Sequence, residues 1–310
     1  MKKIERVFAA IGLLAVVIVA INAVQKPAET TSDSTKKELI NDYNVYALPI
    51  PEGLNFVGEP VPVHNPDIKE RVDRELLVNT YWQSNALLLM KRAHKFFPII
   101  EPILAAEGVP DDFKYLAVIE SGLTQAVSPA KATGFWQILK GTGRQYGLEV
   151  NENVDERYHI EKSTRAACKY LKSAKERFGN WTAAAAAYNA GPAGVGRRLK
   201  AQNVSSYYDL LLNEETGRYV FRIIALKEIM SNPKKYGFNY TNEDLYAQIP
   251  TYKVSVDTAV TDIVKLAERF GITYKVLKIH NPWLRQTYLN NKSRKEYFID
   301  IPKEGIYTRN

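Results

Sequence analysis

Two hydrophobic periods divide this chain. From residue 67 to about residue 240 apolar side chains recur at helical spacing, and beyond residue 250 two short stretches alternate as strands do. Val72 and Leu76, with Asn79 and Gln83 continuing their stripe and Leu77, Tyr81 and Trp82 widening it, predict a first helix. Further helices are predicted over 86–97 and 99–106, the second closed by Gly108. Phe113, Leu116, Ala117 and Glu120 then fall at i, i+3, i+4 and i+7, one stripe of a helix. Asp111 and Asp112 suit its positive end, and Gly122 stands where a left-handed C-cap belongs. The pattern next predicts a helix over 134–146 before Gly147, and a loop over 151–160. Ser163 is the expected N-cap of a helix with apolar positions Ala167, Tyr170, Leu171, Ala174 and Phe178, closed by Gly179. Asn180 is placed to cap the alanine-rich run 181–190, which Gly191 stops. That run has almost no side-chain bulk, so its neighbours must approach its backbone and it belongs in the centre of its domain. A last long helix is predicted over 214–230, with Tyr219, Phe221 and Leu226 among its apolar positions.

Residues 241–250 read as a linker. The stretches 252–256 and 296–302 are β-like, and two helical segments between them, 261–270 and 273–280, are separated by Gly271. The expected fold class is therefore mainly α, an all-α domain followed by a small β-α-α-β module. At the other end, Lys2, Lys3 and Arg6 precede an apolar run over 7–24. A basic front followed by such a run is a signal anchor or a signal peptide. The stretch 25–42 is polar and reads as a tether, and 43–66 reads as an extended strap carrying Pro49, Pro51, Pro60, Pro62 and Pro66. The expected division is 1–24 for the anchor or signal, 25–66 for tether and strap, 67–245 for the helical domain and 250–310 for the tail module.

Composition narrows the partners. The 310 residues carry a net charge of +8, which fits a polyanionic partner: nucleic acid, an anionic membrane surface or an acidic wall polymer. Zinc-finger spacing and RNA-binding aromatic motifs are absent from the sequence, so nucleic acid is the weaker choice. The single Cys168 allows no internal disulfide and reads as a buried, inert thiol. Four scattered His and one Cys form no metal-ligand cluster, so neither metal nor cofactor is expected.

Chemistry concentrates at Glu120. It ends an apolar stripe, in a last helical turn, beside a chain reversal. Loss of water and the negative end of the helix dipole both raise a carboxyl pKa, and an acid still protonated near neutral pH suits general acid catalysis. The competing reading is a carboxylate that snorkels to the rim or pairs with an Arg. The following run, 128–137, has small residues able to make a tight loop, then aromatics and an amide, which suits the wall of a cleft for a flat polar ligand.

Four motifs, in order, carry a resemblance: Glu120-Ser121 with a loop reaching Ser128; Gly134-Phe135-Trp136-Gln137; Ala186 to Gly191, AAYNAG; and Glu215-Thr216 to Tyr219-Val220. With these the sequence resembles the lytic transglycosylases of the goose-lysozyme-like fold, most of all the membrane-bound D-type enzymes, over residues 67–240. The resemblance implies a lysozyme-like all-α catalytic domain in which Glu120 is the single acid/base. It implies that Ser128, Phe135, Gln137, Tyr188, Asn189 and Glu215 bind substrate or line the cleft, with Tyr219 supporting Glu120. The competing readings are a turn cap before Pro129 for Ser128 and core packing for Tyr188 and Tyr219. Two departures stand out: relatives often have one more residue between the Glu and this Ser, and KGTG at 140–143 replaces P-x-T-A, where Gly143 costs up to about 1 kcal/mol of helix preference relative to Ala. The tail resembles a LysM glycan-binding module through 266–271 and 279–284, but Val260-Thr261-Asp262 replaces the usual Gly-Asp-Thr turn, so glycan binding and packing against the helical domain are both open.

The reaction the resemblance implies is cleavage of the β-1,4 bond between N-acetylmuramic acid and N-acetylglucosamine in peptidoglycan glycan strands, closing a 1,6-anhydro ring without water or metal. A monomer is expected on the periplasmic side of the inner membrane, attached through the N-terminal segment, or free in the periplasm if that segment is cut. Two other readings are a muramidase-type hydrolase on the same scaffold and a non-catalytic wall-binding protein.

Overall fold

A helix with one apolar stripe must bury it against another element, and the observed layers follow from that need. The computed structural model describes residues 44–307. The apolar run 7–24, where an anchor is expected, and the tether 25–42 lie outside the described residues. Among the described residues no helix is long and apolar enough to cross a membrane.

The chain enters through a short hairpin, β1 (Asn55–Phe56) with β2 (Glu59–Pro60), where only an extended strap was expected. Eight helices follow among the described residues: α1 (Pro66–Tyr81), α2 (Gln83–Ala106), α3 (Lys114–Ser121), α4 (Lys140–Gln145), α5 (Ile160–Phe178), α6 (Trp181–Ala190), α7 (Pro192–Gln202) and α8 (Glu214–Ser231). α1 packs on α8, α2 on α5, and α5 on α6, while α3 is held between α2 and α8. The alanine-rich α6 is central as its composition demands: Ala183 to Ala187 are wholly buried. Asn180 caps it as expected, accepting from the Ala183 N–H at 2.7 Å. The strap supplies a second cap, since the Glu59 carboxylate accepts from the N–H groups of Trp181 at 2.7 Å and Thr182 at 3.0 Å.

Several boundaries differ from the expectation for identifiable reasons. α2 runs through Pro98 and Pro102, where a break was predicted. Both prolines face solvent, so the carbonyls they leave unpaired can be hydrated. The predicted helix over 134–146 is confined to α4. Gly134 and Gln137 take positive φ, and Thr133 bridges to Ile138, so this stretch is a tight loop. Ser163 is no N-cap but lies buried inside α5, its hydroxyl donating to the Ile160 carbonyl at 3.2 Å, and the helix starts after His159. α7 was not anticipated; Pro192 at its first position marks its start. Cys168 is buried as expected, and burial pushes its thiol up to about 12.

The tail is a β-α-α-β module: β3 (Thr251–Val256), α9 (Ile263–Arg269), α10 (Tyr274–His280) and β4 (Tyr297–Pro302). β3 and β4 pair antiparallel from Thr251 opposite Pro302 to Val256 opposite Tyr297. Asp262, in the atypical turn, caps α9 by accepting from the Val264 N–H at 2.8 Å. The module's core of Ile263, Leu277, Leu284, Ile299 and Ile301 also takes in Val154 and Tyr158 from the helical domain. Polar bonds join the same surfaces. The Asp155 N–H donates to the Trp283 carbonyl at 2.9 Å, and the Arg285 N–H to the Asn153 carbonyl at 2.9 Å. Asn153 Nδ2 donates to the Tyr288 carbonyl at 2.7 Å, and Lys295 pairs with Glu149 at 2.6 Å. The packing role left open by the sequence is thus present.

Candidate active site

α3 delivers Glu120. Its residues Tyr115 to Ile119 are buried, and Gly122 at φ 59° ends the helix and turns the chain back. The half-buried Glu120 carboxyl opens on a cleft of about 680 Å³. Loss of water is the largest influence on it and, with a smaller push from the Glu215 charge, raises its pKa to about 7; the Tyr219 hydroxyl and the Arg222 guanidinium pull the other way. Tyr219, buried on α8, donates its hydroxyl to Glu120 Oε1. Burial keeps the Tyr219 phenol far above its ordinary range, so it remains a donor throughout. Arg222, one turn further along α8, donates to the Ile119 carbonyl at 3.2 Å.

The end of α6 forms a second side of the cleft. The Tyr188 hydroxyl donates to the Trp136 carbonyl at 2.7 Å, and its ring meets Tyr170 edge-on at 5.0 Å. Asn189 Nδ2 donates to Glu215 Oε1 at 3.2 Å, and its Oδ1 accepts from the Thr216 hydroxyl at 2.8 Å. These bonds fix the amide's orientation and join α6 to the first turn of α8. Glu215 is therefore a second carboxylate of the same cleft, exposed and tied to Asn189.

The loop after α3 forms the third side. Ser121 donates its hydroxyl to the Phe135 carbonyl at 2.9 Å, closing the loop at its base. Ser128 Oγ accepts from the Ala132 N–H at 3.0 Å, so it does cap its turn, and it also lines the cleft, with its own proton left to donate. Gln137 holds φ 45° and spends both amide hydrogens on carbonyls, Ala126 at 3.0 Å and Gly134 at 2.9 Å. Both partners are acceptors, so the amide orientation is determined and Oε1 is left as its acceptor.

The structure thus brings Glu120, Ser128, Gln137, Tyr188, Asn189 and Glu215 to one cleft, with Tyr219 behind Glu120. Phe135 is a correction to the expected set. Its ring is buried, meets Phe96 edge-on at 4.7 Å and does not line this cleft. A bulky apolar ring next to the fully buried Trp136 completes the core instead, and only its carbonyl serves the loop. Trp136 is likewise a core residue, donating its indole N–H to Thr164 Oγ1 at 2.9 Å.

Two residues escaped sequence reasoning. Arg222 was hidden because a cation on a long helix reads as solvated surface. Arg157 lies buried in the stretch expected to be an unpatterned loop. Its Nη2 meets Asp155 Oδ2 at 2.7 Å and its Nε meets Oδ1 at 3.0 Å, while Nη1 donates to the carbonyls of Lys131 at 3.0 Å and Ile138 at 3.1 Å. Arg157 therefore ties together the two ends of the segment that carries Gln137. Gly134 at φ 79° faces this clamp, and a Cβ there would stand 2.3 Å from the Arg157 carbonyl oxygen. Among the described residues no cluster of three or more His, Cys, Asp or Glu could hold a metal ion.

Comparison with known proteins adds the following. Residues 97–210 match the transglycosylase SLT domain family, and residues 252–305 match the soluble lytic transglycosylase C-terminal LysM-like domain. The membrane-bound lytic murein transglycosylase D of Escherichia coli K12 is 28% identical over 258 residues, covering 80% of this chain and 55% of that protein. The same enzyme of E. coli O6:H1 matches equally. The chain spans about half the length of these curated relatives. A solved inactive variant of the lytic transglycosylase Slt from Pseudomonas aeruginosa aligns with 49% of this chain and 26% of its own, at 20% identity and a TM-score of 0.36.

Proposed function

We propose, from a chain that carries a transglycosylase SLT domain followed by the LysM-like domain of soluble lytic transglycosylases, that it cleaves the β-1,4 bond between N-acetylmuramic acid and N-acetylglucosamine and leaves 1,6-anhydro ends. The observation that supports this most is Glu120, a carboxyl with a pKa of about 7 held by Tyr219 at the edge of a polar cleft. A group poised there can give a proton and take one back at the same pH. In the first step Glu120 protonates the departing glycosidic oxygen and the anomeric C–O bond breaks, with the substrate's 2-acetamido group stabilising the cationic carbon. In the second step the Glu120 carboxylate takes the proton of the sugar's own 6-hydroxyl as that oxygen bonds to the anomeric carbon. One bond is exchanged for another and water is not consumed. Ser128 and Gln137 Oε1 supply a donor and an acceptor for the sugar, and Tyr188 and Asn189 hold the opposite wall.

The reading divides the chain into a catalytic domain over 67–245 and a LysM-like module over 250–310, with the apolar run 7–24 attaching the protein to the inner membrane, as the word membrane-bound describes its relative. Glu215 favours a second reading. Ordinary glycosidases use two carboxylates, and a hydrolase would employ this one to position water. Digestion of purified sacculi separates the two. Transglycosylation gives fragments lighter by one water than reducing-end fragments, hydrolysis gives the heavier set, and Glu120→Gln abolishes both. Fragment release undiminished by Glu120→Gln would overturn the proposal.

A further inference from the structure

A second cavity, of about 330 Å³, shares no lining residue with the Glu120 cleft. It is walled by α2, by the loop residues Thr124, Gln125 and Phe135, by the linker, and by the tail module. Its size is at the lower end of pockets that take small organic ligands, and the seam between two domains is a common place for one.

The charges along this wall do not all answer one another. Glu161 pairs with Lys253 at 3.1 Å. The Lys95 ammonium and the Asp300 carboxylate make no salt bridge and no hydrogen bond with any described residue, although the Asp300 backbone bonds the Asn281 side chain. The Lys95 ammonium lies only over the Phe96 ring, 5.2 Å from its centroid. The half-buried Asp300 carboxyl has lost water, which raises its pKa, and Lys253, its cross-strand neighbour on β3, opposes that. Burial lowers the pKa of both His159, to about 4, and His280, leaving them neutral at pH 7. The cavity is therefore balanced overall: Lys95 on the helical domain is a cation with no carboxylate partner, and Glu161, Lys253 and Asp300 together carry one net negative charge that Lys253 alone cannot cancel. The two charges sit on different walls, Lys95 on α2 and Asp300 on β4. A complementary ligand must carry both signs, separated, with apolar groups between them to meet Ile99, Ile249 and Ile279.

We propose that this cavity binds a short zwitterionic peptide, whose ammonium is received by Asp300 and whose carboxylate is received by Lys95. Such a ligand spans from α2 to β4 and so joins the helical domain to the tail. The inference does not rest on the chemistry read for Glu120.

Calorimetric titration of the full chain with alanylalanine, in its L,L and D,D forms, tests it. Saturable binding of at least one form is expected, weakened about tenfold or more by N-acetylation or by C-terminal amidation, as loss of a charge-assisted hydrogen bond requires. Asp300→Asn and Lys95→Met should each weaken the free dipeptide by a similar factor. Each should also lose the discrimination that its partner charge provides, Asp300→Asn against the N-acetyl form and Lys95→Met against the amide. Both variants should still digest sacculi at the wild-type rate, which shows that they fold, and Glu120→Gln should bind the dipeptide unchanged. The proposal is overturned by no saturation of either form up to about 10 mM, by binding indifferent to both substitutions, or by binding that Glu120→Gln removes, which would place the peptide in the other cleft.

Discussion

Replacing Glu120 by Gln should make the protein more stable above neutral pH, and the size of the gain follows from the site. The folded carboxyl titrates at about 7 against an ordinary value of 4.5, chiefly because it has lost water. At 1.36 kcal/mol for each tenfold change in proton affinity, holding the ionised form in the folded state costs about 3 kcal/mol. The sign follows from proton binding. Between pH 4.5 and 7 the folded protein holds a proton at Glu120 that the unfolded chain has lost, so stability falls as pH rises through this window. Below it both states are protonated and the cost vanishes; above it the cost is complete. Gln fills the same space, can still accept from the Tyr219 hydroxyl and carries no charge to desolvate. Urea unfolding of wild type and Glu120→Gln at a series of pH values reads the difference directly, and groups common to both proteins largely cancel in it. The stability of the variant minus that of wild type should climb by about 3 kcal/mol from below pH 4.5 to above pH 7. A difference flat to within about 0.5 kcal/mol would mean that the carboxyl is solvated in the folded state, and the argument from burial to acid catalysis would fail.

Other consequences concern the groups around it. Tyr219→Phe removes a hydrogen bond that lowers the Glu120 pKa, so the alkaline limb of sacculus digestion should move to higher pH while the rate at the optimum falls. Arg157→Met leaves the buried Asp155 without its partner, and urea unfolding should show a loss of about 3–5 kcal/mol. Gly134→Ala forces both a strained φ and a clash with the Arg157 carbonyl, so it should cost on the order of 1–3 kcal/mol and raise KM for sacculi by displacing Gln137.

Helical periodicity was readable where a stripe met a clean stop. α3, α6 and α8 appear close to where Phe113 to Glu120, the alanine run and Tyr219 to Leu226 placed them. It failed where local signals had two meanings. Proline in α2 looked like a break, but a solvent-facing proline can be carried within a long helix. Ser163 looked like a cap, but its hydroxyl is satisfied inside the helix. The site was legible through short motifs, because Glu120, Ser128, Gln137, Tyr188, Asn189 and Glu215 lie near element ends that converge. Phe135 was drawn into that set by adjacency, although consecutive residues in a loop can face core and cleft by turns. Arg157 and Arg222 left no trace, since their partners are backbone carbonyls and carboxyls far away in sequence or in unpatterned loops.

The tail shares its oily interior with Val154 and Tyr158, and the backbone of its 283–290 segment is stitched to residues 153 and 155. Shortening the gene after codon 250 would therefore not yield a trimmed, self-sufficient enzyme. It would strip the lining from one wall of the remaining protein, next to the very arginine on which the substrate loop hangs.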